Sequence, residues 1–331
     1  MPQISSDLTG ADRWGSYKVR WRIGRMNYKI DPGLYALGRP DDKAPVLVTA
    51  NYKMTFDRLR EALPGRNAWV LVLDTRGVNV WCAAGKGTFG TKELVARIGS
   101  SGLARVVSHR ELILPQLAGP GVSAHLVKKS SGFKVNYGPI RAEDLPAFLD
   151  AGSEATPEMR LKTFTAVERA VLIPVELVKA FEIGLIASPL LFLIDSLWRA
   201  GGFWSNGLSY GLYSVLAVLS AILAGAVLTP LLLPWLPGRA FSFKGVVTGV
   251  LAALAFIVFR WSWDRWPDRF EIMAWFLLIP AFSAYLAMNF TGASTYTSLS
   301  GVRREMRRAV PLQIGAGIIG LGLWIGSHLI S

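Results

Sequence analysis

The second half of this chain constrains it most. Beyond about residue 170 the sequence becomes a series of apolar runs too long for ordinary core helices. A hydrocarbon layer about 30 Å thick is crossed by roughly 20 apolar residues in a helix. Five stretches reach that length: 175–198, 209–233, 243–260, 270–290 and 310–330. Backbone in hydrocarbon must satisfy its own hydrogen bonds, so runs of this kind can only be helices. The first run is the weakest. Glu176, Lys179 and Glu182 interrupt its early turns, and Val167, Val171, Pro174, Val178 and Phe181 recur at three- and four-residue spacing. That pattern reads as an amphipathic approach along the interface before the helix enters the membrane. The alternative is a helix buried in the preceding domain, which would leave four spans.

Charge gives a direction. With the first half inside, Arg239, Arg303, Arg304, Arg307 and Arg308 fall in inner loops, with Lys244 just inside the following span. Arg199, Arg260, Arg265 and Arg269 fall in outer ones, so the bias runs inward, as positive residues prefer. The outer loop "RWSWDRWPDRFE" is rich in the tryptophans that favour a headgroup boundary, and an odd number of spans puts Ser331 outside. The N-terminus, "MPQISSDLTGADRWGSYKVR", lacks the apolar core of a signal peptide. The expected location is the cytoplasmic (inner) membrane, multi-pass, with the first half on the cytoplasmic side. Asp195 is the one acid well inside an apolar run, so no set of ionisable residues suggests a proton or ion path. "MNFTGASTYTSLSGVRREM" (288–306) reads either as a hydroxyl-rich loop capping helix ends or as a docking surface.

Residues 1–170 hold 25 Lys and Arg against 16 Asp and Glu, and the remainder 11 against 7. A basic half tethered to a membrane lies favourably beside anionic lipid. No Lys/Arg run exceeds two residues, which argues against nucleic acid as a partner.

In that first half, strand and helix signals alternate. "APVLVTAN" and "NAWVLVLDT" are apolar enough for strands buried on both faces. Met54–Leu63 and Thr91–Ile98 read as helices, "LARVVSH" as a strand and "ELILPQLA" as a short helix. "VSAHLVKK" and "GFKVNYG" read as strands, and "AEDLPAFLDAG" as a closing helix with a glycine stop. Alternation of this kind argues an α/β domain around a mainly parallel sheet. The expected organisation is an unplaced segment 1–44, an α/β domain 45–165 and an all-α polytopic transmembrane domain 166–331.

Ligands of such sheets bind beyond the carboxyl ends of the strands. "NVWCAAGKGTFG" (79–90) falls there and holds the chain's single cysteine, Cys82. One thiol can serve only as a nucleophile or as a single metal ligand, or be a small buried hydrophobe. It cannot hold a [4Fe–4S] cluster, so no iron–sulfur centre is expected in this chain. Gly85, Gly87 and Gly90 spell G-x-G-x-x-G, a dinucleotide signal. However, "RGVNVWCAA" separates them from the strand, and Glu111, the acidic residue about 20 positions on, begins a helix rather than ending a strand. A phosphate-binding P-loop fits less well, because Val80 stands where its first glycine belongs and Gly87 follows Lys86 in place of a hydroxyl. Ala83, Ala84 and Gly85 are small enough to let a large planar ligand approach the backbone.

The run Asn79-Val80-Trp81-Cys82-Ala83-Ala84-Gly85-Lys86-Gly87 resembles the signature of the HgcA family of mercury-methylating corrinoid proteins, matching N-[VI]-W-C-A-[AG]-G-K-[GR] at every position. "VTANYKMTFD" (48–57), "SHRELILPQL" (108–117) and "NFTGASTYTSLSGV" (289–302) are also similar to that family, and the resemblance covers most of residues 45–331. More loosely, the chain resembles the corrinoid iron–sulfur protein of the acetyl-CoA pathway.

The resemblance implies a Rossmann-like corrinoid-binding domain followed by the membrane helices, with cobalamin or a related corrinoid bound base-off. Residues 79–87 would form a cap helix beneath the ring and Cys82 would be the lower axial cobalt ligand. The D-x-H-x-x-G signature of His-ligated cobalamin domains is absent around His109, His125 and His328. Thr49, Asn51, Thr88 and Phe89 are further expected corrinoid contacts, with turn and capping work as the alternative for Thr88. The implied reaction is methyl transfer to inorganic Hg(II), giving methylmercury. Implied partners are a ferredoxin-like electron donor, HgcB, and a methyl donor of the methyltetrahydrofolate type acting through its own methyltransferase. The competing readings are a membrane-anchored corrinoid methyltransferase with a non-mercury substrate, a dinucleotide sensor, and an anchor without chemistry.

Overall fold

The computed structural model describes residues 1–199, 201–263, 268–290 and 299–330. The chain divides into two compact units, Met1–Lys162 and Thr163–Ser331.

In the first unit, six strands form one sheet: β1 (Gln3–Ile4), β2 (Gly33–Leu37), β3 (Val46–Ala50), β4 (Ala68–Leu73), β5 (Glu111–Leu114) and β6 (Lys134–Tyr137). Their spatial order is β1-β2-β4-β3-β5-β6. β4, β3, β5 and β6 are mutually parallel, and β2 closes the far side antiparallel to β4. β3 and β4 are buried at every position, paired from Val46↔Trp69 to Ala50↔Leu73. Alternate residues point to opposite faces. Val46, Val48, Leu71, Leu73, Leu112 and Leu114 pack under α3 (Val80–Lys86), α4 (Thr91–Ser100) and α5 (Ala124–Ser131). Leu47, Val70, Val72 and Ile113 pack against α2 (Lys53–Glu61) and α6 (Leu145–Asp150). The sheet is therefore doubly wound. The chain leaves β3 over one face to reach β4, then crosses the other face from β4 to β5. That reversal makes a crevice at the carboxyl ends of β3 and β5.

The segment 1–44 belongs to this unit. It supplies β1, β2 and α1 (Gly10–Arg20), which opens with a reciprocal capping box between Thr9 and Asp12. Asp12 also binds Lys53 and Arg60, and Arg60 donates to the carbonyls of Ser5 and Asp7 at 2.9 and 3.0 Å. Burial works against the ionised Asp12, but hydrogen bonds from Lys53, Thr9 and Arg60 prevail and hold its carboxyl well below the usual range. α1 is thereby fixed to α2.

Three expected elements come out differently. The presumed strand at 103–109 is a single 3₁₀ turn, Leu103–Arg105, after left-handed Gly102. Leu103 and Val107 are buried while Arg105 between them is exposed, whereas a strand would put all three on one face. "ELILPQLA" is strand β5 and then a turn, because Pro115 ends a four-residue run that fits between β3 and β6. "VSAHLVKK" contributes helix α5, which Gly132 stops at φ 78°.

In the second unit five helical stretches are long and apolar enough to cross a membrane: Ala166–Trp198, Phe203–Leu232, Phe241–Trp261, Arg269–Asn289 and Ser300–Leu329. They are called the first to fifth spans below. The first falls in this unit, and only 11% of its apolar window is buried, so the alternative of a buried helix of the preceding domain does not hold. The third and fourth spans pack through small residues. A Cβ on Gly245 would lie 2.6 Å from Ala284 Cα, and one on Gly249 would lie 2.5 Å from Pro280 Cα. Ser283 on the fourth span donates to the Gly245 carbonyl at 2.8 Å. Parts of the Trp-rich loop (264–267) and of the hydroxyl-rich segment (291–298) lie outside the described residues.

Candidate functional site

The stretch after β4 is built to present a short helix at the carboxyl edge of the sheet. Asn51, the residue after β3, is 2% exposed. Its Oδ1 accepts the backbone N–H groups of Thr75 and Gly77 at 3.1 and 2.9 Å, and its Nδ2 donates to Asp74 at 3.2 Å. These bonds hold a turn in which Arg76 and Gly77 are both left-handed, at φ 58° and 72°. A non-glycine residue there costs about 1 kcal/mol or more, and such strain persists only where the surroundings enforce it. The Thr75 hydroxyl donates to the Val78 carbonyl at 2.6 Å, leading the chain into α3.

α3 starts at Asn79, whose side chain accepts the Cys82 N–H at 2.9 Å. It ends at Gly87, left-handed at φ 80°. Val80, Ala83 and Ala84 form its buried side, and Trp81 and Cys82 are half-buried. Gly85, Lys86 and Gly87 are exposed. Cys82, Gly85 and Lys86 therefore share one open stripe at i, i+3 and i+4. A Cβ on Gly85 would meet nothing within 4 Å, so a flat ligand can approach that stripe closely. From below, Gly121 fits so tightly that a Cβ would strike the Phe89 carbonyl and come within 3.0 Å of Ala84 Cα. The Gly121 carbonyl accepts the Thr91 N–H at 3.2 Å, tying this loop to the start of α4.

Not every expected residue reaches that surface. Asn79 to Gly87 are contiguous along α3 and its caps, but Val80, Ala83 and Ala84 pack into the core, so the two alanines do not form the ligand-facing side expected of them. Phe89 has 0% exposure and sits in the core below α3, an anchor and not a surface group. Thr49 is 2% exposed within β3, and the polar atoms of Asn51 are consumed by the 74–77 turn. Thr88 closes the helix, its N–H and hydroxyl reaching the Ala83 carbonyl at 3.0 and 3.4 Å. The glycine spacing also resolves. Gly85 lies inside α3, Gly87 caps its end and Gly90 begins α4, so no single glycine turn joins strand to helix as a dinucleotide site requires. Glu111 opens strand β5. A groove of about 530 Å³ lined by Lys43, Arg66, Asn67, Ser108 and His109 lies at the amino ends of the strands, away from Cys82.

With this geometry in view, residues 24–149 match the family model for CO dehydrogenase/acetyl-CoA synthase delta subunit, CdhD. Three gamma subunits of acetyl-CoA decarbonylase/synthase complexes are also similar. That of Methanocaldococcus jannaschii is 37% identical over 96 residues, 28% of this chain and 20% of that protein. That of Methanopyrus kandleri is 32% identical over 128 residues, 38% of this chain and 27% of that protein. That of Archaeoglobus fulgidus is 29% identical over 128 residues, with the same coverage. The chain thus spans about a quarter of the length of the relatives it matches. The matched segment contains the whole Asn51–turn–α3 assembly.

A second cluster, in the helical unit, corrects the expectation that the spans carry no ionisable set. Asp195 on the first span meets His328 on the fifth at 2.8 Å and accepts from Ser214 on the second. Arg199 lies 3.6 Å from Asp195, 3.9 Å from Glu271 on the fourth span, and over the Tyr210 ring. Glu271 pairs with Arg260 on the third span at 3.2 Å. All five ionisable side chains are buried. The signal was in the sequence: Asp195, Arg199, Arg260 and His328 lie at or just beyond the C-terminal ends of the first, third and fifth spans and Glu271 at the N-terminal end of the fourth, so helices that alternate in direction bring them to one level.

Proposed function

We propose that the first unit is a corrinoid-binding module and that the chain catalyses corrinoid-dependent methyl transfer to Hg(II). The observation that carries the reading is the open Cys82–Gly85–Lys86 stripe on a helix braced at the carboxyl edge of a doubly wound sheet. The similarity to acetyl-CoA decarbonylase/synthase subunits supports it from an independent side. The residues fit a broad planar group. One half-buried thiol faces outward, the neighbouring glycine leaves room for a ring, and the opposite side of the helix is locked into the core. Residues 79–87 would lie beneath the corrinoid, base-off, with the Cys82 thiolate as lower axial ligand; soft thiolates suit covalent bonding to transition metals. When bound, the corrinoid supplies a cobalt-held methyl group, which an electron-rich thiolate ligand makes suited to a soft electrophile such as Hg(II).

The protein's own part is positional. Asn79 fixes the first turn that carries Cys82, and the Asn51 turn and Gly121 fix the helix, so the sulfur is held without reorganisation. A single cysteine leaves electron supply to a separate ferredoxin-like protein, and methyl supply to a methyltetrahydrofolate-type donor with its methyltransferase.

The test compares the full-length chain with Cys82→Ala, each purified and incubated with cobalamin. The expected result is a base-off visible spectrum whose axial-ligand features vanish in Cys82→Ala, together with loss of methylmercury formation from Hg(II). Identical spectra would remove the ligand role from Cys82. The match to acetyl-CoA-complex subunits favours a second reading, a membrane-anchored corrinoid methyltransferase with a non-mercury acceptor. That reading predicts Cys82-dependent spectra without methylmercury.

A further inference from the structure

One surface of the first unit is both strongly apolar and strongly cationic. On α1, Trp14, Tyr17 and Trp21 recur at i, i+3 and i+7, which makes one stripe. They are 64%, 62% and 49% exposed, and Ile23 and Met26 in the turns that follow are 61% and 79% exposed. The helix beneath the stripe is rigidly seated. Val19 is buried, the Tyr28 ring lies against Gly15, and Asp12 is bound to Lys53 and Arg60. Between Gly10 and Lys29 there are six basic residues and one acid, Asp12, which is turned inward. Arg13, Lys18, Arg20 and Arg25 form no ion pair among the described residues. Burial first, then the charges of Arg58 and Arg25, hold the Arg20 guanidinium below its ordinary pKa, as expected where cations crowd together.

Exposed indole and phenol rings set among lysines and arginines match a lipid headgroup layer. The rings settle at the water–hydrocarbon boundary and the cations attract anionic headgroups. The rest of the chain points to the same occupant. The first unit is joined at Lys162 to a unit whose five helices have membrane length, so a bilayer lies within reach of the linker. Like those helices, α1 lies outside the segment 24–149 shared with the acetyl-CoA-complex subunits.

We propose that the α1 face formed by Trp14, Tyr17 and Trp21, with Arg13, Lys18 and Arg25, docks on an anionic membrane surface. This has a consequence for the candidate site. The Lys53 N–H donates to the Tyr28 carbonyl, the Ile30 N–H donates to the Asn51 carbonyl, and Met26 and Lys29 abut Gly77. The docked segment is therefore continuous with the turn that carries α3, and docking would hold the Cys82 edge close to the headgroups. The inference rests on the five helices spanning a bilayer and is independent of the corrinoid reading.

The experiment uses the full-length chain, corrinoid-free, in vesicles of phosphatidylcholine alone and with added phosphatidylglycerol. A nitroxide is attached at Tyr17→Cys on a Cys82→Ala background, with Lys129→Cys on exposed α5 as the reference position. The expected result is a several-fold rise in the ratio of oxygen to nickel-complex accessibility at position 17, only with phosphatidylglycerol. Position 129 should not change, and Arg13→Gln, Lys18→Gln and Arg25→Gln together should abolish the rise. A label equally open to the nickel complex in both compositions would overturn the proposal. So would a label shielded from both reagents in detergent, which would mean the face is covered by protein. If labelling disturbs α1, hydrogen exchange of residues 10–26 in the unlabelled chain decides: slower exchange only with phosphatidylglycerol supports docking, and equal exchange overturns it.

Discussion

In the function proposed above the chemistry turns on Cys82, and its neighbours decide whether that residue is held in place. Asn79 accepts the Cys82 N–H and so caps the helix that carries the thiol. Replacing an asparagine cap with alanine costs about 1 kcal/mol, whereas aspartate keeps the acceptor. Asn79→Ala should therefore lower the thermal transition of the first unit and weaken the Cys82-dependent spectrum, while Asn79→Asp leaves both nearly unchanged. Equal behaviour of the two variants would show that the cap is unimportant. Asn51→Ala should be worse. It strands the buried N–H of Thr75, worth about 1–3 kcal/mol when unsatisfied, and the half-buried N–H of Gly77. Scanning calorimetry that found Asn51→Ala as stable as the parent chain would refute this account of the turn. Asn51 and Phe89 also show how a motif read from sequence mixes roles. From sequence, Asn51 is expected to meet a ligand from its place at the end of β3 and Phe89 from its place after the Cys82 motif, and in the structure the first holds the 74–77 turn and the second anchors α3 in the core.

At the scale of elements, the third and fourth spans meet where Gly245 and Gly249 leave no room for a side chain. Overpacking a close contact typically costs about 1–3 kcal/mol, and here the obstruction is backbone. Gly249→Leu should separate the two helices and lower the temperature at which the detergent-solubilised chain aggregates; an unchanged temperature would contradict the packing. Gly245 and Gly249 are four residues apart and so share one helix face, and packing of the fourth span brings Pro280, Ser283 and Ala284 against it. The attachment of α1 to α2 predicts an acid limit. Asp12 has a depressed pKa in the folded chain, so its contribution is complete above the ordinary carboxylate value of about 3.9 and is lost as the pH falls further. Lys53 and Arg60 are raised despite burial, by hydrogen bonds to Asp12 and Asp57, so their contributions survive past neutrality. The protection of amides around Val19, taken relative to their intrinsic exchange rate at each pH, should be flat from mildly acidic to mildly basic pH and fall below about pH 4. Asp12→Asn should remove that acid step, and a step persisting in this variant would place it elsewhere.

For the whole molecule, the two units rest on different physics. The first is organised by a sheet buried on both faces, the second by helices that leave much apolar surface uncovered. Within the second, the Asp195–His328–Arg199–Glu271–Arg260 cluster draws on the first, third, fourth and fifth spans, and Ser214 of the second span donates to Asp195. Removing one partner of a buried ionic pair costs about 3–5 kcal/mol, because the other charge remains unpaired. Asp195→Ala should make the purified chain lose its monodisperse state at lower temperature, while Asp195→Asn, which can still hydrogen-bond Ser214 and His328, should be milder. Size-exclusion profiles after a heating series check this, and indistinguishable profiles for the three proteins would show that the cluster does not tie the spans.

The sequence by itself determined the features that depend on composition over long windows. Five membrane-length helices and the α/β character of the first half follow from runs and spacings along one segment, whereas which side of α3 is open did not: Ala83 and Ala84, expected on the ligand side, are buried. Tertiary structure decided the rest. Runs of four to eight apolar residues carry no distinguishing period, so whether "ELIL" became a strand and "AHLVKK" a helix depended on the vacancy beside β3 and on Gly132. The placement of residues 1–44 depended on Asp12 meeting Lys53 and Arg60, which lie 41 and 48 residues away along the chain. The buried ionic cluster joins residues as far apart as Asp195 and His328, 133 positions along the chain. Pairings of that separation leave no local period, because which charges meet is set by how whole helices pack.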